Sequence, residues 1–247
     1  MTTEASTRNP QKKFDFSAPQ PRPFLANLPA KIDIYEDGIA DFFRWRTGLD
    51  YYLTIERIVD FVVDTGRVKV LDLLADTAVF ALNLAGRKAF HGQIYSFDSN
   101  VTLLERAKQR ALQLNLNETV EFNLFQEPRI PVPDCYGDVA VSIFDFHRHP
   151  AKQYLKEVMR ILEPNGYLIL AELIESESSK SSWASKWKRL YLEYIKKNKT
   201  EAAAVYYDRE EMIALLFEAG FRQVIMQGLN VPDSPHAGVF SLIAATK

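Results

Sequence analysis

Apolar residues recur along this chain in two alternating rhythms. Between residues 50 and 65, Tyr52, Ile55, Ile58, Val59 and Val62 return at helical spacing, and Gly66 marks the stop. Val68–Leu74 follows as a short apolar run suited to a buried strand. The alternation then repeats. Thr77–Ala85 reads as a helix, Gln93–Phe97 as a strand closed by Asp98, and Val101–Leu114 as an amphipathic helix with Glu105, Arg106, Lys108 and Arg110 on its wet side. Val120–Phe125 and Val139–Phe144 read as strands and Ala151–Leu162 as a helix. Pro164-Asn165-Gly166 signals a turn into a strand over Tyr167–Leu173. Asp208–Ala219 is a further helix ended by Gly220, and strands are predicted over Gln223–Gln227 and Val239–Ala244.

Strands that alternate with helices of this length form βαβ units around a parallel sheet. Right-handed crossovers place helices on both faces, which makes the chain an α/β protein. Such sheets bind ligands at the carboxyl ends of their strands, where the strand order reverses. No internal repeat is visible. Residues 1–30, with Pro19, Pro21, Pro23 and Pro29 closely spaced, are expected to form a flexible arm. Phe14, Phe16, Phe24 and Leu25 give that arm a means of docking. Residues 31–247 are expected to form one catalytic domain.

Composition narrows the class. The 247 residues are 47% apolar and 25% charged, which excludes a disordered or collagen-like chain. A single cysteine, Cys135, excludes an internal disulfide and a multi-cysteine zinc site. A net charge of −2 gives no reason to expect nucleic acid as the partner. No apolar run reaches the roughly 18–20 residues that span a bilayer, and the polar N-terminus lacks the apolar core of a signal peptide. A cytoplasmic location is therefore expected. Glycine is sparse: the chain has ten, and none lies between Gly66 and Gly86.

With these elements in order, the chain resembles the class I methyltransferase fold, and within it the ubiquinone/menaquinone C-methyltransferases. Val70-Leu71-Asp72-Leu73 is similar to the strand that opens the S-adenosylmethionine motif, and Ile94–Asp98 to the second strand with its terminal ribose acid. Val120-Glu121-Phe122 and Ile130-Pro131-Val132-Pro133-Asp134 resemble the third-strand region, and Asp138-Val139-Ala140-Val141-Ser142 with His147 the fourth. Glu157-Val158-Met159-Arg160-Ile161-Leu162-Glu163-Pro164-Asn165-Gly166 closely resembles the helix and turn before strand five. The fold implied is Rossmann-like, a mostly parallel seven-stranded sheet with helices on both faces. The resemblance places Asp72, Leu74, Asp76, Asp98, Ser99 and Gln126 around S-adenosylmethionine.

The departures from the family carry as much information. Where the family has three glycines after the first strand, this chain reads Leu74, Asp76 and Ala78. Glycines there allow a tight turn and close approach of the backbone to the ligand. Asp76 adds a negative charge near the expected place of the cofactor carboxylate, and such a pair needs a compensating cation. Where the family usually has an acid after strand three, this chain has Gln126. The runs Asp72–Leu84 and Ile94–Arg110 resemble the rhodoquinone-synthesising branch of the quinone methyltransferases, which lacks the glycine loop. That resemblance implies replacement of a ubiquinone methoxy group by an amino group, with S-adenosylmethionine as nitrogen donor and manganese required. Two other readings stand beside it: a conventional quinone or small-aromatic methyltransferase, and a non-catalytic scaffold in a quinone-synthesis complex.

Individual residues have structural alternatives. Asp98 either holds the cofactor ribose or caps the helix starting near Val101. Asp76 either pairs with the cofactor ammonium, shares a metal with a neighbour, or caps a helix at Thr77. After strand four, Asp145, His147 and His149 occupy alternating positions and are expected to converge on one face of an extended segment. Imidazole plus carboxylate suits manganese or iron, and equally suits general acid–base work. His91 and His236 read as structural.

Residues 176–207 are expected to form an insertion that covers the substrate or faces a membrane. Within 176–199 there are seven Lys/Arg against two Glu, and Trp183, Trp187, Tyr191 and Tyr194 mark one helical face. A basic face with interfacial aromatics fits a lid over a hydrophobic quinone or peripheral contact with an anionic inner membrane.

Overall fold

The computed structural model describes residues 34–125, 129–175, 204–230, 233 and 236–247. The N-terminal arm, the insertion up to residue 203, and Gln126 lie outside the described residues. The elements are α1 (Ile34–Thr47), α2 (Tyr51–Asp64), β1 (Lys69–Asp72), α3 (Val79–Ala85), β2 (Gln93–Asp98), α4 (Val101–Gln113), β3 (Val120–Leu124), β4 (Gly137–Ile143), α5 (Ala151–Ile161), β5 (Leu162–Leu173), α6 (Arg209–Glu218), β6 (Arg222–Gly228) and β7 (Phe240–Thr246). The strands form one seven-stranded sheet in the order β3-β2-β1-β4-β5-β7-β6. The first five strands pair in parallel, and β7 runs antiparallel between β5 and β6.

Local chemistry sets the boundaries. Asp50 caps α2 by accepting from the Leu53 N–H at 3.0 Å, and Gly66 ends it with φ +69°. Asp208 and Glu211 form a reciprocal capping box at the start of α6. Successive strand residues then feed opposite faces. Val70, Val139, Val141, Ile169 and Phe240 pack under α1, α2 and α3, whereas Leu71, Ala140, Leu168, Leu170 and Ile243 pack under α5 and α6. Gly137 is required at the foot of β4, because a Cβ there would meet the Leu71 side chain at 2.5 Å.

The fold and nearly every element agree with the periodicity, and two features differ from it. Helix α1 has no counterpart in the sequence reading. The Pro164-Asn165-Gly166 signal is not a separate turn before the strand. It lies within β5, where Asn165 has φ +63° and the register with β4 shifts between Gly137 and Val139. The excursion is absorbed as a bulge because pairing resumes at once, with Val139 opposite Tyr167.

Candidate active site

The strand order reverses between β1 and β4, so their carboxyl ends flank the switch point where α/β sheets bind ligands. The loop after β1 lies on this edge. Asp76 and Ala78 hold φ values of +45° and +63°, the left-handed region that favours glycine. The loop therefore keeps a glycine-type course without glycine, and three anchors hold it. The Ala75 N–H donates to the Phe97 carbonyl at 2.6 Å, the Asp76 N–H to Asp98 Oδ2 at 2.8 Å, and Arg110 to the Thr77 carbonyl at 3.0 Å.

Neither capping alternative describes this region. Helix α3 starts at Val79 with Ala78 as its N-cap, so Asp76 caps nothing. Asn100 caps α4 through the N–H groups of Thr102 and Leu103, while Asp98 accepts from the Asn100 N–H at 2.7 Å. Asp98 is buried, and burial raises its carboxyl above the ordinary range; backbone N–H donors oppose the rise and the Asp145 charge adds to it. Asp72 is also buried, and burial pushes it up to about 8 against the pull of Ser96, whose hydroxyl donates to Asp72 Oδ2 at 2.5 Å. Leu74 and Asp76 are half-buried, and Ser99 is exposed. A carboxylate offers about four acceptor positions, so Asp98 retains capacity for a ligand hydroxyl beside its backbone donors. Asp98 lies close enough to Asp145 to feel its charge, and this pair of acids at the edge suits a cationic ligand. The left-handed loop and the acid at the end of β2 are the features here that would hold S-adenosylmethionine.

The expected convergence of Asp145, His147 and His149 is corrected. The segment is not extended: Phe144 has φ +54° and Phe146–Arg148 form a 3-10 turn. Residues 145 and 149 therefore face one way and 147 another. His149 Nε2 lies 2.5 Å from Asp145 Oδ2, and the His149 ring stacks on Tyr154 at 4.7 Å. His147 turns into the molecule, where its Nδ1 lies 2.9 Å from Glu172 Oε1. Among the described residues no three His, Cys, Asp or Glu side chains gather as a metal site. As placed, Asp145, His147 and His149 do not converge on one ion, so they do not fit manganese.

His149 lines a cleft with Leu73, Phe125, Ile130, Pro150 and Tyr154. Carboxylates surround this wall too, since burial and then the charges of Asp145, Glu172 and Asp72 drive the Tyr154 hydroxyl well above its ordinary range. Helix α1 covers the other side of the edge. Phe42 and Phe43 pack on Phe144 with ring centroids 6.0 and 5.6 Å apart, and Arg46 lies over Tyr206. Glu172 was missed by sequence reasoning. Its signal was the single acid in the apolar run Tyr167–Leu173, which is unfavourable to bury unless it has partners.

Residues 64–212 match the family model described as a methyltransferase domain, and the chain belongs to that family. It is 25% identical to the ubiquinone/menaquinone biosynthesis C-methyltransferase UbiE of Rickettsia akari, across 89% of this chain and 92% of that protein. Among solved structures, a SAM dependent methyltransferase from Aquifex aeolicus superposes with a TM-score of 0.56 at 20% identity, covering 87% of this chain and 99% of that one. The [4+2]-cyclase SpnF superposes with a TM-score of 0.57 at 18% identity, covering 89% and 84%. These two likenesses concern the fold.

Proposed function

We propose that this protein uses S-adenosylmethionine to modify a ubiquinone-type ring, exchanging a methoxy group for an amino group in rhodoquinone biosynthesis. The observation that carries the reading is the loop after β1. It keeps the left-handed course of a cofactor cradle at Asp76 and Ala78, yet carries a carboxylate where glycine is expected. The amino group of S-adenosylmethionine would add to the ring carbon, which releases its methoxy group as methanol, and hydrolysis of the Cα–N bond of the adduct would leave the amine on the ring and free the carbon skeleton as a 2-hydroxy acid. Asp98 and Ser99 would hold the ribose hydroxyls, with Asp72 and Leu74 forming the floor beside them. Asp76 would face the ammonium group and hold it in place. The Asp145–His149 pair and His147 are the groups able to take the proton that the amine gives up. A quinone substrate calls for peripheral contact with the inner membrane, and the basic aromatic stretch 176–199 supports that contact. Among the described residues no helix is long and apolar enough to cross a membrane.

The family membership favours a second reading, conventional methylation of a quinone ring. Purified protein incubated with ubiquinone and S-adenosylmethionine labelled in its amino nitrogen separates the two. Mass spectrometry should find the label in an aminoquinone. An unlabelled product heavier by one methyl group would establish the second reading, and no cofactor binding by calorimetry would leave only a scaffold.

A further inference from the structure

The turn after β4 carries two histidine–carboxylate pairs that face different sides of the sheet edge. One is Asp145–His149, on the cleft with Leu73 and Phe125. The other joins His147 to Glu172, near the carboxyl end of β5. Glu172 and His147 are each 1% exposed. The Glu172 carboxylate meets three nitrogens: the Leu173 N–H at 2.7 Å, the His147 N–H at 3.3 Å and His147 Nδ1 at 2.9 Å. Two of the three belong to one residue of the adjoining turn. A buried acid held this way fixes both the position and the ring orientation of its partner.

The faces of the His147 ring are also set. Tyr206 stacks on it at 4.8 Å with planes 19° apart, and Phe144 lies at 5.1 Å. Arg46 sits on Tyr206, 5.2 Å from its centroid. The Val205 N–H donates to the His147 carbonyl at 2.8 Å, which ties the 204–207 segment to the same residue. Arg148 and Asp145 are the other charged groups of the turn. A carboxylate on Nδ1 places a proton there and makes Nε2 the basic nitrogen of the neutral ring. This is the logic by which a buried acid sets the tautomer of a catalytic histidine.

We propose that Glu172 is a positioning residue that sets the tautomer and plane of His147, and that His147 is the proton acceptor on the quinone side of the site. The proposal rests on the reading of the protein as a quinone-modifying enzyme.

The test has two arms. The chain has four histidines, so nitrogen-labelled histidine with one substitution at each position assigns every ring by NMR. In the wild-type chain His147 should carry its proton on Nδ1. Glu172→Ala should redistribute it to Nε2, and Glu172→Gln, which keeps an acceptor oxygen, should preserve it. In turnover, His147→Ala and Glu172→Ala should each lower kcat on the order of 100-fold with cofactor affinity unchanged, and the double variant should be no slower than the worse single. An unchanged tautomer in Glu172→Ala, or an equal further loss from Glu172→Ala in the His147→Ala background, overturns the proposal. If Glu172→Ala does not fold, Glu172→Gln decides it: near-wild-type kcat with the Nδ1 proton retained supports orientation, and a loss with the tautomer retained overturns it. The NMR arm is independent of which product forms, so a methylated quinone would sink the amino-transfer reading and leave this result standing.

Discussion

Asp72 is a carboxyl group whose state matters most near neutrality. Burial raises it from 3.8 in the free side chain to about 8. Between those values the folded chain binds a proton that the unfolded chain has released, so stability falls as pH rises through that window and levels off above it. Asp72→Asn should abolish this slope: thermal unfolding should show a gain of several degrees, roughly, at pH 8 that vanishes near pH 4. Asp76 tests the cradle itself. Asp76→Gly exchanges left-handed strain for unfolded-chain entropy, so stability should change by no more than about 1 kcal/mol. Cofactor affinity should drop on the order of tenfold by calorimetry if the carboxylate meets the ammonium group, and an unchanged affinity removes Asp76 from the site. At this scale the sequence was legible wherever a residue ends a strand, as with Asp72 and Asp98. It misled at Asp145, His147 and His149, because the left-handed Phe144 and the turn after it break the alternation that spacing alone suggests.

Helix α1 shows why one element escaped the periodicity. Its apolar positions are mostly aromatic, and they meet a cluster assembled from distant strands rather than one neighbouring face. Phe43 contacts Tyr51, Phe144 and Phe240 at centroid distances of 5.6, 5.6 and 4.9 Å. It is 1% exposed, so Phe43→Ala should cost about 3–5 kcal/mol and lower the denaturation midpoint accordingly. A second tie joins the end of α1 to β7: Asn230 donates to the Thr47 carbonyl at 2.6 Å and accepts from the Phe240 N–H at 2.8 Å. Asn230→Ala leaves both groups unpaired and should cost about 1–3 kcal/mol in the same measurement. Helices α2, α4 and α5 were legible because each has one apolar stripe, and α6 because acids open its first turn and Gly220 follows its last.

For the molecule as a whole, the parallel sheet was implied by the alternation of elements, but the chemical character of the edge was not. That character arises from acids of separate strands meeting at the switch point, Asp98 from β2 and Asp145 beyond β4, beside an Asp72 of β1 that burial keeps protonated near neutrality. Their combined field favours a positively charged sulfur over a neutral one. Calorimetry at low ionic strength should therefore show S-adenosylmethionine binding several-fold tighter than S-adenosylhomocysteine, with the preference shrinking as salt is added. Equal affinities at all salt concentrations would mean that the acids are neutralised before the ligand arrives.

The left-handed backbone at Asp76 and Ala78 has a consequence for descent. Because hydrogen bonds from β2 and α4 hold the loop, its shape does not depend on which residues occupy it. Ancestors carrying glycine at these positions, and intermediates carrying one side chain, would all have folded alike. Side chains could thus be gained or lost here by single steps in either direction, with no unstable form to cross.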